Sequence, residues 1–220
     1  MPEKVINIIG PGFRDLPEKG EMWAINTSFM PIIDGLWKKF GNAGYQEHRP
    51  RLTRAFLMDG ISGLSSVRQA ASRSDARQYY IDLVNDRDIE LVTPFIEKGV
   101  NKSISFPLNQ VKEKFGTLYM KSTIAYALAA AALLKPKEVH LWGIFQSSYL
   151  EYLFERPAVE YWIGILIGQG AKVESHDRET RLFGGRPAFG GKTLYGYESS
   201  EWWALRKAKK HEKDFISSNQ

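Results

Sequence analysis

The chain has 220 residues, 43% hydrophobic and 25% charged, which suits a globular domain with a full core. It contains no cysteine, which excludes disulfides, thiolate catalysis and cysteine-ligated metal. Much of the net charge of +5 falls on Arg206, Lys207, Lys209, Lys210 and Lys213, after Trp202 and Trp203, so it marks a basic tail rather than a basic domain.

Residues 5–9, Val-Ile-Asn-Ile-Ile, are β-branched and nearly all apolar, the pattern of a strand buried on both faces. The run stops at Gly10-Pro11-Gly12, a turn without side chains that lets a ligand approach the backbone. In open α/β sheets ligands bind beyond the carboxyl ends of the strands, with phosphate resting on backbone N–H groups after the first. This turn lacks the third glycine of the dinucleotide fingerprint and the Lys-Ser/Thr of a P-loop.

Residues 21–26 predict a second strand and residues 55–60 a third, closing on the turn signal Asp59-Gly60. Residues 67–84 are polar and helix-compatible. Residues 89–93 and 103–106 predict short strands stopped by Pro94 and Pro107, and residues 111–115 a short helix. Ser122-Thr123 can cap a helix over residues 124–134, which is apolar all round and therefore buried, with Pro136 ending it. That run is also the longest apolar one, about half of what a bilayer span needs. Residues 138–143 predict a core strand, residues 157–166 a helix opened by Pro157 in its first turn, and residues 172–174 a last short strand.

This alternation predicts an α/β, Rossmann-like three-layer fold with a mostly parallel sheet and right-handed crossovers, occupying residues 1–198. Residues 181–197 carry five glycines among aromatics and predict a glycine-rich arm or lid. Residues 199–220 predict a basic C-terminal helix or tail. Its tryptophans and cations can stack on and track a nucleic acid. The preferred expectation is an amphipathic helix that docks on a second copy of the chain. With no leader pattern and no spanning helix, the expectation is a cytoplasmic protein with no membrane partner.

The predicted strand ends are polar. Arg14 follows the first, Asn26 and Ser28 the second, Asp59 the third, and Gln146 the strand after the long helix. A guanidinium at Arg14 can grip two phosphate oxygens; otherwise it is a surface arginine. Asn26 can hydrogen-bond a base or ribose, or form an Asx turn. Ser122 and Thr123 sit where a helix N-terminus favours an anion, although capping alone explains both residue types. Glu151, Tyr152, Glu155, Arg156, Glu160 and Tyr161 form the densest polar-aromatic segment, directly after a core strand. Arg156 and Glu160 have the spacing of a helical ion pair. The carboxylates there can act as general base, and a tyrosine as donor to a departing phosphate.

His48, His140, His176 and His211 show no metal-binding spacing, so no metal ligand is predicted, and no cofactor beyond a nucleotide-class substrate. His140 reads as structural; His48 and His176 read as solvated loop histidines, although either can serve as a base.

Gly10-Pro11-Gly12, Asn26 and residues 119–143, including Ser122-Thr123 and Gly143, resemble the bacterial sialyltransferases that use CMP-sialic acid. They also resemble related Rossmann-like proteins typified by the archaeal hydroxymethylpterin pyrophosphokinase. The order of Glu151-Tyr152, Arg156-Pro157, residues 160–164 and residues 194–198 is similar to a group of uncharacterised bacteriophage proteins of about this length. These resemblances imply a nucleotide- or nucleotide-sugar-dependent transferase, or a phage module that binds a host nucleotide without turning it over. Gly10, Pro11, Gly12, Arg14, Asn26, Ser122, Thr123 and Gln146 would hold the ligand. Glu151, Tyr152, Arg156 and Glu160 would surround the reacting group. The chain departs from the sialyltransferases in having Phe13-Arg14 for a serine-rich first turn and no histidine just after Gly143, so sialyl transfer itself is not implied.

Overall fold

The computed structural model describes residues 4–29, 32, 52–146, 150–177, 180 and 182. The chain divides into two units, Met1–Leu182 and Phe183–Gln220. Apart from Leu182 the glycine-rich arm lies outside the described residues, as do the tail with Trp202 and Trp203, His48 and His211.

Seven strands form one sheet: β1 Val5–Ile9, β2 Glu21–Ile25, β3 Leu52–Phe56, β4 Glu90–Thr93, β5 Ser103–Ser105, β6 Glu138–Trp142 and β7 Lys172–Ser175. Their order is β5-β4-β3-β2-β1-β6-β7, and every neighbouring pair is parallel. The expected mostly parallel sheet is thus wholly parallel among the described residues. Layers on both faces explain why β1 is apolar without alternation.

On one face Ile6, Ile8, Trp23, Ile25 and Phe56 pack with α2 (Leu108–Phe115), α3 (Thr123–Leu134) and α4 (Leu150–Gly168). On the other, Ile9, Met22, Ala24, Leu52 and Ala55 pack with Phe29, Ile61, Leu64, Val67 and α1 (Arg73–Asp86). This is a three-layer α/β, Rossmann-like fold. Among the described residues no helix is long and apolar enough to cross a membrane.

The local chemistry accounts for most boundaries. Ser72 caps α1, its hydroxyl accepting from the Asp75 amide, so the helix starts there instead of at residue 67. Residues 65–68 form a separate single turn. The third strand ends at Phe56 rather than running to Gly60, and the Leu57 amide still donates to the Val92 carbonyl at 2.9 Å. The helix expected from Pro157 begins at Leu150 instead, with Pro157 inside it. An internal proline forfeits one helical hydrogen bond. Burial of Ala158, Val159, Trp162, Ile163 and Leu166 offsets that loss. Five alanines of α3, Ala125, Ala127, Ala129, Ala131 and Ala132, are fully buried, and their small side chains let the helix lie close to the sheet.

Candidate functional site

Strands β1 to β5 advance in one direction, and β6 returns to the other side of β1. Strand order therefore reverses between β1 and β6, and the crevice beyond their carboxyl ends is where open α/β sheets place ligands. The loops at this point are residues 10–14 after β1 and residues 143–146 after β6.

These loops interlock through their backbones. The Gly10 amide donates to the Trp142 carbonyl at 2.7 Å, the Gly12 amide to the Gly143 carbonyl at 3.2 Å, and the Phe13 amide to the Gly10 carbonyl at 3.4 Å. Pro11 has no N–H. The turn therefore does not offer these N–H groups to a phosphate, contrary to the expectation from its glycines. The glycines serve close packing instead. A Cβ on Gly10 would lie 2.6 Å from the Gly143 carbonyl oxygen, and one on Gly12 would overlap the Phe145 ring.

A second clamp comes from the segment after β7. Asp177 accepts from the Gly143 amide through Oδ1 and from the Ile144 amide through Oδ2, each at 2.9 Å. The Thr180 hydroxyl donates to the Ile144 carbonyl at 3.1 Å. Asp177 was not singled out from the sequence, where only its neighbour His176 drew notice. Its role depends on β7 pairing with β6, which no local pattern encodes.

Gln146 closes this loop in a left-handed backbone conformation, φ 46°, and is 3% exposed. Its Oε1 is buried without a hydrogen-bond partner among the described residues. Asn26, at the exit of β2, is also left-handed, φ 52°. Such conformations cost energy in residues other than glycine and cluster at ligand sites. Ser28 is structural: its hydroxyl donates to the Ile9 carbonyl at 2.7 Å and accepts from the Ile25 amide at 2.9 Å.

The remaining expected residues divide. Arg14 and Asp59 are exposed at their strand exits. Ser122 accepts from the Ala125 amide at 3.4 Å, so it is the cap of α3, and Thr123 opens the helix behind it. Arg156 Nε lies 3.7 Å from Glu160 Oε1, the one-turn ion pair that their spacing suggests. Tyr161 makes edge contacts with Tyr119 and Trp162. Glu151 and Tyr152 lie in the first turn of α4, and their side chains are outside the described residues. The fold thus joins Gly10, Pro11, Gly12 and Gln146 at the crevice, while Ser122, Arg156 and Glu160 have partners of their own.

A second constellation lies on β6 and β7. His140 Nδ1 is 2.9 Å from His176 Nε2 and 3.6 Å from Glu174 Oε2, and His140 Nε2 is 3.0 Å from Glu138 Oε2. The His176 ring stacks on Trp142 at 3.8 Å and 9°, and Trp142 Nε1 donates to Asn7 Oδ1 at 3.1 Å. Asn7, buried in β1, donates through Nδ2 to the carbonyls of Lys19 and Glu21. Burial, then the neighbouring His140, holds the His176 imidazole below its usual value. The hydrogen bond from His140 lowers Glu138, and the one from Lys172 lowers Glu174. The two histidines are 36 positions apart, so no sequence spacing exposes the pair.

No family model, curated protein or solved structure matches the chain. The resemblances noted above rest on the quoted residues alone.

Proposed function

We propose that the chain binds a nucleotide or nucleotide-sugar over the β1 and β6 loops, beyond the carboxyl ends of the strands, and transfers a group from it. The observation that carries this is Gln146: a buried amide oxygen without a partner among the described residues, on a left-handed residue, at the reversal of strand order. Buried polar atoms in folded proteins are paired almost without exception, so such an atom marks a place for a ligand group or an ordered water. A base or ribose offers the N–H or O–H donor that an amide oxygen takes. Arg14, exposed beyond β1, supplies the cation for the phosphates. The first turn of α4 follows the β6 loop in the chain and holds Glu151 and Tyr152, the candidates for proton transfer.

A second reading, a module that binds the nucleotide without turning it over, is favoured by the Arg156–Glu160 pair. Two of the four expected reacting groups neutralise each other there.

A melting series with nucleoside mono-, di- and triphosphates and nucleotide-sugars tests the binding step. A ligand at 100 times its dissociation constant adds about 2.7 kcal/mol, a clear rise in melting temperature. If no member of the panel raises it, the reading fails. Recovery of the bound nucleotide intact after incubation with acceptors selects the non-catalytic module.

A further inference from the structure

We propose that His140, His176 and Glu174 form a binding site for one divalent transition-metal ion of the zinc class, with its fourth position open to water. The proposal stands apart from the nucleotide reading and does not depend on it. The three donor atoms, His140 Nδ1, His176 Nε2 and a Glu174 oxygen, all lie within 4.8 Å of one another. Tetrahedral zinc with bonds of 2.0–2.1 Å separates its ligand atoms by about 3.3 Å. The spacings from His140 Nδ1, 2.9 Å to His176 and 3.6 Å to Glu174, bracket that value.

The surroundings support the same assignment. A metal-bound imidazole characteristically gives its other N–H to a carboxylate, which fixes the tautomer and raises ligand basicity. His140 does this: Nε2 faces Glu138 at 3.0 Å, leaving the Nδ1 lone pair toward His176 and Glu174. Glu174 divides its oxygens, Oε1 to Lys172 Nζ at 2.8 Å and Oε2 toward His140. Stacking on Trp142 fixes the plane of the His176 ring, and the Trp142–Asn7 hydrogen bond fixes the indole in turn. Two imidazoles and one carboxylate are the donor set of open, water-bearing zinc sites, in which three protein ligands leave a position free. His176 also directly precedes Asp177, which holds the β6 loop, so an ion would sit one residue from the crevice wall.

The test uses the full chain, stripped with a chelator and titrated with zinc, then with cobalt as a spectroscopic probe. The expected result is one saturable equivalent of zinc and the intense visible absorption of low-coordinate cobalt. His176→Ala changes an exposed residue and should fold; it should lower zinc affinity at least 100-fold. Glu174→Gln should do the same. Glu138→Gln leaves the three ligands in place and should lower affinity about 10- to 100-fold, as second-sphere changes do. Far-UV circular dichroism should be unchanged in all three. Absence of saturable zinc binding by the wild-type chain overturns the proposal. So does undiminished binding by His176→Ala, which would put the ion elsewhere, or the weak absorption of octahedral cobalt.

Discussion

Gly143 lies so close to Phe13 that a Cβ on the glycine would overlap the Phe13 amide nitrogen, and its φ of 67° is left-handed. The β1 and β6 loops touch backbone to backbone, so this glycine is needed for both reasons. Gly143→Ala should destabilise the fold by about 2–4 kcal/mol, combining a left-handed penalty with a clash that no side chain can relieve. Urea denaturation measures it; a loss under about 1 kcal/mol would mean the loops separate freely.

Gln146 separates a ligand role from a packing role. Replacing a buried amide whose oxygen lacks a partner among the described residues by an apolar group of similar size is near neutral or stabilising. Gln146→Leu should therefore leave the denaturation midpoint unchanged or raised, while nucleotide affinity falls about tenfold with the loss of roughly 1.4 kcal/mol. A variant that loses stability would show that the amide is paired in the folded protein.

Arg14 is the test of the phosphate. Loss of a charge-assisted bidentate contact costs about 1.5–3 kcal/mol, so Arg14→Ala should weaken a nucleoside diphosphate about 10- to 150-fold by calorimetry. The corresponding nucleoside should bind both proteins equally. Equal loss for nucleoside and nucleotide would remove Arg14 from the phosphate.

Lys135 closes α3 with φ 50° and stands near Lys114, whose ammonium donates to the Ala132 and Leu133 carbonyls at 3.3 and 3.0 Å. Burial and then the Lys135 charge hold Lys114 below the ordinary lysine value. With a lowered folded value, the unfolded chain keeps its proton to higher pH. The penalty is therefore fully present at neutral pH and is relieved as pH rises from the folded value toward the unfolded one, about 10.4. Lys135→Gly removes the like charge and the left-handed strain, so it should stabilise the protein at pH 7 by about 0.5 kcal/mol. The gain should shrink toward pH 10. Urea midpoints at both pH values check the size and the sign.

The α/β class was legible in the sequence because it is a property of local pattern. The run Val5–Ile9 can only be satisfied between two layers, Ser122 and the alanine-rich stretch behind it specify a capped, buried helix, and proline and glycine mark most of the ends. The same local reasoning placed Gln146 and the Gly10–Gly12 turn at strand exits. It misplaced the start of α4, because a proline inside a helix and one in its first turn look alike in the sequence. What the turn glycines do was decided only by tertiary structure: β6 pairs with β1 across more than half the chain and takes up the amides of Gly10 and Gly12. Parallel pairing of β7 with β6 likewise brings His176 to His140 and Asp177 to Gly143. Those contacts join residues more than thirty positions apart, and sequence periodicity carries information only about a residue's own strand or helix.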